Sequence, residues 1–308
     1  MPNGRASRSA GLPMVRAVSF VRKMRGGCQS HLLWGDDGRA YVVKFINNLQ
    51  LGRRALINEY IAAMMFTHLG VSAPEPALIE VDADFLCRHP EVHLTGPETV
   101  RTRVRPGIHF GSLYPGDPAV HSVYDFLPDR ILSAVYNRAD FFGALVLDKW
   151  LGNADGRQAI FYRATVRRRR QHATEWVVSM IDHGHAFCGD EWRFIDSDVQ
   201  GLYARQIVYG EHPMINDFEP WLNRLSALPR EVLEKSVCRL PSEWIDGDSG
   251  AIEALMKQLW KRRDRVPCLL ESSLKWLQRN KRAPRPRSSP VRRDMPSVAN
   301  NLIVAGLT

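Results

Sequence analysis

From residue 14 onward, short apolar runs alternate with polar punctuation, and the spacing within the runs changes along the chain. In "MVRAVSFV" apolar residues fall at roughly every second position, which is strand spacing. "RGGCQSHLLW" reads as a Gly-containing turn entering a second strand. "DDG" at 36–38 is a tight hairpin signal, and "RAYVVKF" is a third strand. Over residues 52–69, "GRRALINEYIAAMMFTHL", the spacing becomes helical, with Leu56, Tyr60, Ala63 and Met64 on one side and Gly70 as the stop. "APEPALIEV" has prolines at its entry and then an apolar run, which predicts an edge strand. The pattern to this point is a small antiparallel sheet with one helix against it.

The middle of the chain is different. "HSVYDFLPDRILSAVYN" and "RADFFGALVLDKWLG" both read as helices, the second apolar enough to be buried. "QAIFYRA" and "EWVVSMID" follow as two strands of a hairpin, joined through the arginine run at 167–170. From Asp217 the spacing is helical again, in four segments, with Pro229 suited to a first helical turn and Asp248 or Ser249 to a cap. The predicted class is α+β, with a small antiparallel-sheet lobe and a mostly helical C-terminal lobe. The expected divisions are a disordered N-terminus over 1–13, a first lobe over 14–105, a second over 106–277, and a basic disordered tail over 278–308. The aromatic "GIHFGSLYPGD" reads as a structured loop whose position also makes it a candidate wall of a binding site.

Composition narrows the class. The 308 residues are 44% hydrophobic and 24% charged, an ordinary balance for a globular enzyme with a sizeable core. No run is long and apolar enough for a membrane span, and the basic N-terminus lacks the apolar stretch of a secretion signal, so no membrane partner is predicted. Five scattered cysteines without zinc-like spacing predict reduced thiols and a cytoplasmic protein. The net charge of +9 suggests nucleic acid until its distribution is considered: residues 279–293 carry seven cations and no acid, and without them the charge is +2. That Pro- and Ser-rich tail suits at most a weak contact with polyanions.

Four candidate side chains occur in order. Lys44 lies in the apolar strand "YVVKF", where an inward ammonium needs an anion, although taken alone a strand lysine is more ordinarily outward. Glu59 sits fifteen positions later among core-type residues, able to pair with Lys44 or to face solvent. Asp155 follows the buried helix in "GNADGRQAIF", and Asp182 ends the strand "WVVSMI" before "HGHAF". Each aspartate alone is an ordinary turn residue. Together they would form an oxygen-rich site suited to Mg²⁺ carrying phosphates. A strand lysine, helix glutamate, post-helix aspartate and strand-end aspartate are the parts required for phosphoryl transfer on the protein-kinase plan. His183 and His185 have no evident third nitrogen or sulfur ligand, so no zinc site is expected. No Gly-x-Ser-x-Gly elbow is present either.

With these parts the chain resembles the HipA-like kinase family, atypical relatives of protein and phosphoinositide kinases. The resemblance runs over about residues 14–275 and is carried by "SHLLWGDDGRAYVVKFINN", "LINEYIAAMMFTHLGVSAPEPALIEV", "HFGSLY", "VLDKWLGNADGRQAIF" and "MIDHGHAF". It implies a bilobal kinase-like fold, ATP and Mg²⁺. Lys44 would then bind the α- and β-phosphates, Glu59 would position Lys44, and Asp155 would orient the acceptor hydroxyl and take its proton. Asp182 would bind the metal, with Gly26, Gly27 and Ser30 over the phosphates and the inter-lobe connection near "TVRTRVRPGIHFGS".

Departures from the family pattern accompany it. Ile160 stands where an asparagine metal ligand is usual, leaving Gln158 or Asn153 as the amide substitute. Arg157 stands where many relatives have histidine, and either contacts the transferring phosphate or makes a structural salt bridge. The loop at 26–30 lacks the Gly-x-Gly-x-x-Gly spacing. The implied acceptor is a protein Ser/Thr hydroxyl, with a small-molecule acceptor or a catalytically weak nucleotide-binding scaffold as alternatives.

Overall fold

The alternating runs of the first lobe close on themselves. In the computed structural model, which describes residues 13–168 and 171–281, the order is β1 (Met14–Lys23), β2 (His31–Gly35), β3 (Ala40–Lys44), α1 (Arg54–His68), β4 (Pro76–Val81), α2 (Ala83–Arg88), β5 (His93–Thr95), β6 (Arg101–Arg103) and β7 (Gly107–Leu113). Five of the strands form a closed barrel in the order β1-β2-β3-β7-β4. Val15, Leu33, Tyr41, Val43, Phe45 and Ile79 belong to its buried apolar cluster.

Two expectations change here. Strand β7, read as a loop, pairs antiparallel with both β3 and β4, with Phe110 opposite Lys44 on one side and Leu78 on the other. The sheet lobe therefore runs through Leu113, and the boundary after residue 105 and the inter-lobe connection near 99–112 both move beyond it. The sheet is also not wholly antiparallel: β4 closes on β1 in parallel, Val15 beside Ile79.

Helix α1 has no outward face. Every residue from Ala55 to Ala63 is buried, so the one-sided stripe expected of it is a helix enclosed all round, polar Asn58 and Glu59 included. Such a helix must satisfy its polar side chains internally.

The second lobe holds α3 (Asp129–Leu132), α4 (Asp140–Leu151), the hairpin β8 (Gln158–Arg168) and β9 (Gln171–Ile181), then α5 (Glu219–Ser226), α6 (Arg230–Cys238), α7 (Ser242–Ile245), α8 (Ser249–Arg262) and α9 (Val266–Lys281). The helix expected across 121–137 is reduced to the single turn of α3. Tyr124 instead exchanges both backbone hydrogen bonds with Phe161 of β8, at 2.9 and 2.7 Å, which requires extended backbone. Helix α4 is buried almost throughout and ends at Gly152 with φ 61°. A Cβ at Gly152 would come within 2.6 Å of the Phe194 ring, so glycine there both permits the left-handed turn and leaves room for the ring.

Asp248 occupies the position before α8 but makes no side-chain cap bond; its carboxylate pairs with Arg54 and Arg53 instead. Helix α9 continues to Lys281, so residues 278–281 are helix rather than the start of the tail. The expected disorder at 1–12 and 282–308 lies outside the described residues, as do two arginines of the 167–170 run. Among the described residues no helix is long and apolar enough to cross a membrane.

Candidate active site

A lysine at the end of a buried strand cannot keep its charge without anions close by. Lys44, the last residue of β3, is 8% exposed. Its Nζ donates to Glu59 Oε1 of α1 and, at 2.7 Å, to Asp182 Oδ1 just after β9. Burial disfavours the ammonium, but the two carboxylates outweigh it and raise the Lys44 pKa. Burial pushes the Glu59 carboxyl up, with Lys44 pulling it back. Asp182 also feels burial, yet Lys44 brings its pKa down to about 2. The resulting state is one protonated amine bridging two acids.

Asp182 has φ 61°, a left-handed conformation that a non-glycine residue holds only when neighbours fix it. The Lys44 bond fixes its carboxylate, and Arg157 Nη1 fixes the preceding carbonyl, that of Ile181, at 2.7 Å.

Lys44, Glu59, Asp155, Gln158 and Asp182 all line one cavity of about 330 Å³, together with Gly26, Gly27 and Ser30. That volume is in the range of small-ligand pockets. Asp155 is exposed in the turn after α4. Its amide donates to Asn153 Oδ1 at 3.2 Å, and its Oδ2 accepts from Gln158 Nε2 at 3.3 Å. Gly26 has φ 115°, and its neighbour Gly27 lies so close to the Gln50 amide that a Cβ would come within 2.2 Å of Nε2. Gln29 ties the same loop to Thr95 of β5 through two hydrogen bonds, of 2.7 and 2.6 Å.

Two expected site residues are not at the cavity. Arg157 is buried and wholly engaged: Nε and Nη2 donate to Asp148 Oδ2 and Oδ1 at 2.8 and 2.7 Å, and Nη1 to Ile181 O. With its Nε–Nη2 edge on Asp148 and Nη1 on Ile181 O, Arg157 makes a structural salt bridge and does not line the cavity. Asn153 is likewise buried, with Nδ2 donating to Asp148 Oδ1 at 3.1 Å and Oδ1 accepting from Asp155, which excludes it as a metal ligand. Gln158 remains at the cavity, and so does Ile160, whose side chain offers no ligand atom.

His183 is buried against Phe66, ring centroids 4.4 Å apart, with Nδ1 3.3 Å from Arg157 Nη1. Burial, reinforced by Arg157, holds it well below the ordinary imidazole range, so it stays neutral. Asp148, which offers an oxygen in the same sequence segment as Asp155 without being assigned a role, and Asn58 and Trp192, which the sequence reading leaves out, complete the support. A carboxylate in the apolar run "FFGALVLDKWL" and an amide beside Glu59 in "ALINEYIAAM" were the available signals, since a buried polar group implies a partner.

A search of curated proteins returned no match. Among solved structures, the chain is similar to a Helicobacter pylori proinflammatory kinase, CtkA, at 14% identity and TM-score 0.48, over 86% of this chain and 99% of that one. It is also similar to the Golgi casein kinase with Mn/ADP bound, at 11% identity and TM-score 0.46, over 87% and 73%. The model of the HipA-like kinase family matches residues 17–261, a span that contains the barrel apart from the first three residues of β1, both aspartates and the buried lysine, and the chain belongs to that family.

Proposed function

We propose that this kinase uses ATP and Mg²⁺ to phosphorylate a serine or threonine hydroxyl of a protein acceptor, in the cytoplasm. The observation that carries the reading is the Lys44 ammonium held between Glu59 and Asp182 at a cavity whose wall also presents Asp155.

The donor set supports nucleotide and metal. Asp182, Asp155 and Gln158 offer only oxygen and amide groups, a hard set that suits Mg²⁺ completed by water and phosphate oxygens. When bound, the metal ion neutralises charge on the phosphates. Lys44 has three N–H donors and directs two at carboxylates, which leaves one for a phosphate oxygen. Glu59, itself buried on α1, keeps that donor aimed by holding the Lys44 ammonium. Asp155, exposed where an acceptor can reach it, orients the hydroxyl and takes its proton late in the transfer. Catalysis on this plan is positioning and charge neutralisation more than covalent chemistry.

Transfer of radiolabel from γ-labelled ATP to the protein itself or to a cell lysate tests the reading. Asp155→Asn and Asp182→Asn proteins that label as strongly as the parent would refute it. Label appearing only in metabolite pools would replace the protein acceptor with a small molecule. Ile160 favours a second reading, nucleotide binding with little turnover, because hydrocarbon stands at the position where an asparagine metal ligand is usual in the family. Its signature is ATP-dependent thermal stabilisation, indifferent to Mg²⁺, with no product.

A further inference from the structure

Asn58 is fully buried, yet its side chain lies among backbone groups of a different lobe. Its Nδ2 is 2.7 Å from Gly184 O, 3.0 Å from Ala186 O and 2.9 Å from Gly189 O. Its Oδ1 accepts from the Trp192 indole Nε1 at 2.8 Å. Two N–H groups shared among three carbonyls, with the oxygen accepting as well, use both donors and one of the two acceptor sites of the amide. All four partners belong to residues 184–192, the segment that directly follows Asp182.

We infer that Asn58 is a positioning residue: it locks the segment after Asp182 onto α1, so that Asp182 and Glu59 reach Lys44 as one unit. Asn58 and Glu59 are consecutive on α1, and the Glu59 carboxylate lies against the same segment, where a Cβ at Gly184 would come within 3.3 Å of its Oε1. A shift of the segment by a fraction of an ångström is therefore felt at both carboxylates of Lys44. Phe187 and Cys188 within the segment have φ of 60° and 59°, and Trp192 has 54°, conformations that do not hold themselves. The clamp continues outward. The Arg54 guanidinium lies 4.3 Å from the Trp192 ring centre, its Nη1 donates to Asp190 O, and its Nε pairs with Asp248 before α8. Helix α1 is thus held to the helical lobe at Arg54 and Asn58, about one turn apart on one face of the helix.

This inference rests on the kinase reading only for its activity arm, and the test separates the two. Asn58→Leu keeps the volume and removes both the donors and the acceptor. In the full-length protein, kcat for MgATP-dependent labelling is expected to fall about 30-fold, while KM for ATP stays within about 3-fold, because three buried carbonyls lose their donor and Lys44 keeps Glu59. Amide exchange measured without substrate is expected to quicken across residues 183–192 and to stay parental in the barrel. A packing role alone would lower stability everywhere and leave kcat of the folded protein unchanged. Trp192→Phe, which removes one N–H and keeps the ring under Arg54, serves if Asn58→Leu does not fold. Its kcat should fall about 3- to 10-fold, the loss expected of one buried hydrogen bond. Parental kcat with parental exchange in either folded variant overturns the clamp. If neither parent nor variant turns over ATP, the proposed activity fails, and the exchange rates at 183–192 alone decide the inference.

Discussion

Asp148 and Arg157 form a two-bonded ion pair in which each side chain is 1% exposed, joining helix α4 to the start of β8. The pair spans the turn that displays Asp155, and Arg157 also holds the Ile181 carbonyl before Asp182. One guanidinium therefore sets both aspartate-bearing segments without touching the cavity.

Removing Arg157 leaves a carboxylate with no cation in an apolar core. Arg157→Met is expected to destabilise the fold by about 3–5 kcal/mol, the usual cost of breaking a buried pair from one side. Arg157→Lys should recover little of it, since an ammonium cannot bond both Asp148 oxygens and the Ile181 carbonyl from one place. Urea unfolding midpoints check both. A loss below about 1 kcal/mol for Arg157→Met, the size of an exposed pair, would show that the pair is not dry.

Lys44 and Asp155 should fail in different ways. Lys44→Met deletes the cation between two buried acids, so it is expected to lower both stability and nucleotide affinity. Asp155→Asn sits on an exposed turn and should stay within about 0.5 kcal/mol of parental stability. Its labelling rate should nonetheless drop by about 10²- to 10⁴-fold, as for loss of a general base, with ATP binding retained. Thermal shift with and without ATP, alongside initial rates, separates the two patterns. Equal loss of ATP binding in both variants contradicts the division of roles.

Lys44 and Glu59 could be read from the sequence because each interrupts an apolar run, and a charge placed there needs a partner. The order of Asp155 and Asp182 was legible for a related reason, since both stand where a buried element ends. Strand β7 was not legible. Its neighbours β3 and β4 are brought to it from far along the chain, and its glycines and His109 carry no alternation to announce it. His109 is buried because its ring takes a hydrogen bond from the Ile46 amide and donates to Arg105 O, both outside β7. The short α3 in place of a long helix has the same cause: pairing of Tyr124 with Phe161 overrides local propensity. Arg157 could be assigned only once Asp148 was seen to face it.

Ile160 offers a gain-of-function test. It lines the cavity one strand residue beyond Ala159, opposite Ser179, and contributes hydrocarbon where an amide oxygen would bind a metal ion. Ile160→Asn adds that oxygen to a wall already carrying Asp182 and Gln158. The Mg²⁺ concentration for half-maximal labelling is expected to fall by about 3- to 10-fold, a gain near 1 kcal/mol. A metal titration at fixed ATP measures it. An unchanged or raised requirement would mean that this wall does not face the metal.

Acid should weaken the fold through Asp182 over a definable window. Its carboxyl, ordinarily near 3.8, is held at about 2 in the folded chain despite burial, because Lys44 lies against it. A carboxylate with a depressed folded pKa stabilises the native state above the unfolded pKa and loses that contribution as pH falls through the folded one. The difference corresponds to about 2 kcal/mol, present above about pH 4 and gone by about pH 2. Asp182→Asn has no such group to protonate, while Lys44 keeps Glu59 as its partner. Unfolding free energies measured from neutral pH downward should therefore drop less steeply between about pH 4 and 2 in Asp182→Asn than in the parent. Parallel curves across that interval would show that the Lys44–Asp182 contact is not maintained in solution.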